Sequence, residues 1–116
     1  MSEVVILHNP RCSKSRATLE LLSARGIEPT VVDYLAHPLD SARLEHILGL
    51  LGMTPRELMR RDEAEYDALG LDDERLGQAQ LLAALVAHPR LIQRPIVMAN
   101  GRAAIGRPPE SVLEIL

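Results

Sequence analysis

Short aliphatic runs alternate along this chain with longer stretches in which apolar residues recur every three or four positions, a pattern of strands interleaved with helices. Val4 to Leu7 is an unbroken aliphatic run suited to a central strand buried on both faces, and His8-Asn9-Pro10 ends it with turn chemistry. From Ser13 to Arg25, the residues Ala17, Leu21 and Ala24 fall at helical spacing with Leu22 beside them, and Gly26 is a stop signal. Thr30 to Leu35 is rich in β-branched residues and reads as a second strand. Two strands separated by a helix make a βαβ unit, in which the strands run parallel.

The middle of the chain is helical in pattern. Asp40 or Ser41 can cap a helix whose stripe is Leu44, Ile47, Leu48 and Leu51, closed by Gly52. Thr54-Pro55-Arg56-Glu57 opens another, with Thr54 and Glu57 spaced for a capping box and Pro55 at the first helical position. A polar stretch runs from Asp62 to Glu74, after which Leu81, Leu82, Leu85 and Val86 mark a helix ending before Pro89. Ile96 to Met98 and Ala103 to Ile105 flank Asn100-Gly101, a hairpin signal because that dipeptide accepts positive φ angles. Pro108-Pro109-Glu110 begins a final helix to Leu116. The order predicts a single α/β domain over residues 1–116: a thioredoxin-like mixed four-stranded sheet with flanking helices and a helical insertion at about 40–88.

Composition narrows the class. At 116 residues there is room for one hydrophobic core. With no Phe or Trp and two Tyr, that core must be aliphatic. A net charge of −3 argues against general nucleic-acid binding. No apolar run is long enough for a membrane span, and the first residues lack a secretory pattern, so no membrane is expected and the cytoplasm is the expected location. Of the thirteen cationic residues only Lys14 is a lysine, which suits bidentate oxyanion binding but equally fits a compositional bias toward arginine.

The chemistry centres on the single cysteine. Cys12 stands at a strand-to-helix turn, where unpaired N–H groups and the helix dipole favour an anion such as a thiolate. Arg11, Lys14 and Arg16 lie close in sequence, and a protonated His8 adds to them, so a lowered thiol pKa is expected. Elsewhere a lone cysteine is most often a small buried hydrophobe. A two-cysteine redox motif needs a second Cys where Ser15 stands, and a phosphatase loop needs Arg where Thr18 stands. One Cys with His at 8, 37, 46 and 88 has no paired metal-ligand spacing, so no metal is expected.

His8-Asn9-Pro10-Arg11-Cys12-Ser13-Lys14-Ser15-Arg16 resembles the N-terminal motif of the glutaredoxin-dependent arsenate reductase family. Leu58-Met59-Arg60-Arg61, Leu91-Ile92-Gln93-Arg94-Pro95-Ile96-Val97 and Gly106-Arg107-Pro108 follow that family's pattern in the same order, so the resemblance spans nearly the whole chain. It implies that the Cys12 thiolate attacks arsenate, with Arg60, Arg94 and Arg107 as the oxyanion-binding arginines. It also implies glutathione as co-substrate, glutaredoxin as partner and no tightly bound cofactor. His8 and Ser15 would support the thiolate, and Pro95 resembles the cis proline beside the active site in thioredoxin-like folds. Taken without the resemblance, each arginine reads as a solvated surface charge.

Two other functions fit the same build. One is a thiol oxidoreductase that acts on another substrate, such as a glutathione mixed disulfide, again through Cys12. The other is a binding module like the Spx regulators, which contact RNA polymerase and usually carry the two-cysteine switch that Ser15 interrupts here.

Overall fold

The structure, a computed structural model, describes residues 3–116. Its elements run β1 (Val5–His8), α1 (Ser13–Ala24), β2 (Thr30–Asp33), α2 (Ser41–Leu51), α3 (Pro55–Leu58), α4 (Ala64–Ala68), α5 (Gln78–Ala87), a 3₁₀ turn (Pro89–Leu91), β3 (Ile96–Ala99), β4 (Arg102–Ile105) and a 3₁₀ helix (Pro109–Ile115). Backbone contacts divide the chain into two compact units, Met1–His37 with Arg94–Leu116, and Pro38–Gln93.

The first unit holds a mixed four-stranded sheet in the order β2-β1-β3-β4. β1 pairs parallel with β2, as the βαβ signal requires, and β3 antiparallel with β4, as the hairpin signal requires, while β1 and β3 join the two pieces by an antiparallel pairing. Ile6, Leu22, Val97, Ala99, Val112 and Ile115 form the buried cluster on one face. Leu7 and Ile96, pointing the other way, are buried too, which explains why β1 reads as a continuous aliphatic run. β2 stops at Asp33, short of the expected strand end at Leu35. Asp33 Oδ1 accepts from the N–H groups of Leu35 and Ala36 and turns the chain out of the sheet.

The last segment differs from the expected α-helix. Val112 and Ile115 both belong to the buried cluster, and residues three apart eclipse one another in a 3₁₀ helix, so the tighter winding delivers both to one face. In the hairpin, Asn100 and Gly101 take φ of 55° and 71°, the left-handed pair of a tight two-residue turn. Asn100 Nδ2 also donates to the Ile115 carbonyl at 2.8 Å and ties the turn to that helix.

The second unit is helical. Asp40 caps α2 by accepting from the Arg43 N–H, and Gly52 ends it. Thr54 and Glu57 complete the capping box of α3, with Pro55 at its start. Within the polar stretch lies α4, whose five residues are too few to show a period, and it is held by the buried Tyr66. No helix among the described residues is long and apolar enough to cross a membrane.

Candidate functional site

The first unit gathers most of the expected site residues at one end of its sheet. β1 leaves the sheet at His8, and the loop to α1 is tightly bonded. The Cys12 N–H donates to the Asn9 carbonyl at 3.0 Å, and the Arg11 N–H to Asn9 Oδ1 at 3.0 Å. Cys12 therefore sits as the N-cap residue of α1, 7% exposed, with its carbonyl accepting from the Arg16 N–H.

His8 lies two residues beyond Ile6 on the α1-facing side of β1, so its ring meets the first turn of that helix. Its Nδ1 is 2.7 Å from Ser15 Oγ, and that fully buried hydroxyl also accepts from the Asn9 N–H at 3.0 Å. Burial pushes the His8 pKa down and Arg16 pushes it further, outweighing the opposing charge of Asp33 on β2. Near neutral pH His8 is thus uncharged. It holds the loop to the helix and adds no positive charge to the thiol, contrary to the role that protonation would have given it.

The arginines reach the cysteine through the hairpin. Ile96 pairs with Ile105, and beyond them the Gly106 N–H donates to the Pro95 carbonyl at 2.9 Å. One step further, Arg94 faces Arg107, whose Nε donates to the Arg94 carbonyl at 2.8 Å. Arg107 Nη2 stands 3.8 Å from Cys12 Sγ. The Arg94-Pro95 bond is cis, as expected, and so is Arg107-Pro108.

Burial is the largest single influence on the Cys12 thiol and raises its pKa. The N–H of Ser15, the Arg94 guanidinium, the N–H of Lys14 and the Arg107 guanidinium together outweigh it, and the thiol lies below its ordinary value. The lowering expected from the sequence is present, but most of its expected sources are not. Arg11, Lys14 and Arg16 have exposed side chains, and the Arg16 guanidinium donates to the Pro10 carbonyl. Lys14 contributes through its backbone.

Arg94 Nε and Nη1 are buried and have no partner among the described residues. Buried guanidinium donors without acceptors are costly, so this pair is set to receive an anion. Arg60 belongs to the second unit. Its Nη1 pairs with Glu63 and its Nη2 with Asp62 Oδ2 at 3.1 Å, while its backbone N–H donates to the Leu91 carbonyl at 2.7 Å. No cluster of three or more His, Cys, Asp or Glu suited to a metal occurs among the described residues.

Chemically, a thiol of lowered pKa beside two guanidinium groups, one with free donors, is suited to binding a tetrahedral oxyanion and attacking its centre as the thiolate. The Arg94–Arg107 pairing had a sequence signal: counting outward from the Asn100-Gly101 turn sets residues 94 and 107 opposite each other. Asn9 organises the loop, as the turn chemistry of His8-Asn9-Pro10 signals, through its side-chain and backbone oxygens.

Residues 7–115 match the ArsC family. The chain is 56% identical over 115 residues to the uncharacterized protein YfgD of Escherichia coli strain K12, covering 98% of this chain and 97% of that protein. It is 50% identical over 117 residues to the arsenate reductase of Neisseria meningitidis serogroup A, covering 100% of both. Among solved structures, the arsenate reductase from Vibrio cholerae superposes with a TM-score of 0.96 at 50% identity, covering 98% of each chain.

Proposed function

The chain belongs to the ArsC family, and we propose that it reduces arsenate to arsenite in the cytoplasm, with glutathione as co-substrate and glutaredoxin as partner. The two unpartnered buried donors of Arg94 beside the Cys12 thiolate carry this reading. An oxyanion that takes up these donors is held beside the sulfur that attacks it, whereas a glutathione mixed disulfide would meet them with a carboxylate remote from its own sulfur atoms.

Arsenate binds with its oxygens on the guanidinium groups of Arg94 and Arg107; Arg60, the third arginine that the resemblance implies, is paired with Asp62 and Glu63 within the helical unit. The Cys12 thiolate attacks arsenic, and an arsenate oxygen leaves as water after taking up protons. Glutathione then adds its sulfur to the same arsenic, and a second oxygen leaves as water. A glutaredoxin thiolate attacks the glutathione sulfur to form a mixed disulfide, the As–S bond's electron pair stays on arsenic as As(III), and water displaces the Cys12 sulfur so that arsenite departs and the thiol is restored. Over the cycle two thiols become a disulfide, supplying the two electrons that take arsenic from As(V) to As(III). The external thiols do the work of a second cysteine, which position 15 does not provide. Cys12, Arg94 and Arg107 need no tightly bound cofactor for these steps.

The test is NADPH-coupled arsenate reduction with glutathione, glutaredoxin and glutathione reductase. Wild type is expected to turn over and Cys12→Ser to fall to background. Absence of wild-type turnover, with the thiol still readily alkylated, would overturn arsenate as substrate and leave Cys12 as a nucleophile for another thiol reaction.

A further inference from the structure

Past the end of β4, Gly106 is buried between two unyielding walls. A Cβ placed on it would stand 2.5 Å from Thr18 Oγ1, 2.8 Å from Pro95 Cγ and 3.2 Å from Pro95 Cδ. The Thr18 side chain is fully buried, and its hydroxyl is already held by the Lys14 carbonyl at 2.8 Å. The Pro95 ring is buried and closed on its own backbone. Gly106 is not among the positive-φ glycines, so the position demands space and not an unusual backbone conformation.

These contacts join the three segments that build the site. Thr18 stands on α1, whose N-cap is Cys12; Pro95 follows Arg94; Arg107 follows Gly106. We infer that Gly106 is a positioning residue, whose bare α-carbon lets the hairpin end close on α1 and so sets Arg94 and Arg107 against the Cys12 sulfur. Any side chain there must push the hairpin end away from the helix or tilt the Pro95 turn. Either movement withdraws guanidinium charge from the sulfur while leaving every charged residue in the sequence.

The inference rests on Cys12 as the reactive thiol but not on arsenate as the substrate, so its test avoids arsenate. The rate of iodoacetamide alkylation is followed against pH for wild type, Gly106→Ala, Thr18→Ala and the Gly106→Ala/Thr18→Ala pair. Gly106→Ala is expected to move the midpoint of the thiol titration to higher pH, with the rate at any pH below both midpoints falling up to about tenfold for every pH unit that the midpoint moves. Removing the nearest wall with Thr18→Ala should restore part of the loss. In an Arg107→Ala background the effect of Gly106→Ala should shrink, because one of the charges it displaces is gone. Gly49→Ala, where an added Cβ meets nothing within 4 Å, is the control and should leave the titration unmoved. If Gly106→Ala does not fold, the paired variant is compared with Thr18→Ala, since the Pro95 contact remains and the higher midpoint with it. A folded Gly106→Ala or paired variant with the titration of its reference overturns the inference, whatever the arsenate assay gives.

Discussion

Arg107 bonds to Arg94 through one nitrogen and reaches Cys12 with another: Nε donates to the Arg94 carbonyl at 2.8 Å, and Nη2 stands 3.8 Å from Sγ. A planar fork can do both, and an ammonium on a flexible stem cannot. Arg107→Lys is therefore expected to keep the charge but lose its placement. Alkylation of Cys12 at neutral pH should slow by a factor of about two to five in Arg107→Ala and by less in Arg107→Lys, the small size reflecting exposure of the guanidinium. Equal rates in all three proteins would remove Arg107 from the site.

Arg94 differs because its free donors are buried. Arg94→Gln is expected to raise the KM for arsenate by about tenfold or more, the scale of a charged hydrogen bond lost to a desolvated anion, with a smaller change in kcat. Steady-state kinetics at saturating glutathione and glutaredoxin checks this. An unchanged KM would mean that the oxyanion binds elsewhere.

The Ser15 hydroxyl accepts from the Asn9 N–H and meets His8 Nδ1 with no exposure to water. Ser15→Ala leaves the buried His8 ring and the part-buried Asn9 N–H without that partner, so a loss of roughly 1–3 kcal/mol is expected in denaturant unfolding. A change within error would show that the loop is held by other bonds.

Those bonds also mark how far the sequence could be read. Strand and helix order, the hairpin and the cysteine at a helix start were all legible, because aliphatic runs, Asn100-Gly101 and the Thr54–Glu57 spacing are local signals. The sources of the lowered thiol pKa were not. Arg11 and Arg16 are neighbours of Cys12 in the chain, yet Arg94 and Arg107 supply the charge, since a hairpin register brings them there and periodicity says nothing of which side chain turns inward. Gly106 was part of a motif, but its need for space is visible only once Thr18 and Pro95 flank it. The five-residue α4 and the 3₁₀ winding of the last segment escaped for a different reason, being too short to declare a period.

His8 gives the fold a pH dependence of known sign. Its folded pKa is lowered from 6.5, so as the pH drops the unfolded chain takes up this proton first and is favoured. Its contribution is intact above 6.5 and declines as the pH falls through the folded value. Unfolding free energies measured from pH 7.5 to 5 should decline for wild type and decline less for His8→Asn. Parallel curves would show that other groups set the acid limit.

The protein's two tyrosines are both buried, Tyr34 in the unit that carries the sheet and Tyr66 in the helical unit, and there is no tryptophan. Each unit thus holds one intrinsic chromophore. Ultraviolet emission from Tyr34→Phe reports on the helical unit alone and that from Tyr66→Phe on the sheet unit alone. The order in which the two halves come apart can therefore be followed without an attached dye, leaving Cys12, the one thiol a label would consume, untouched.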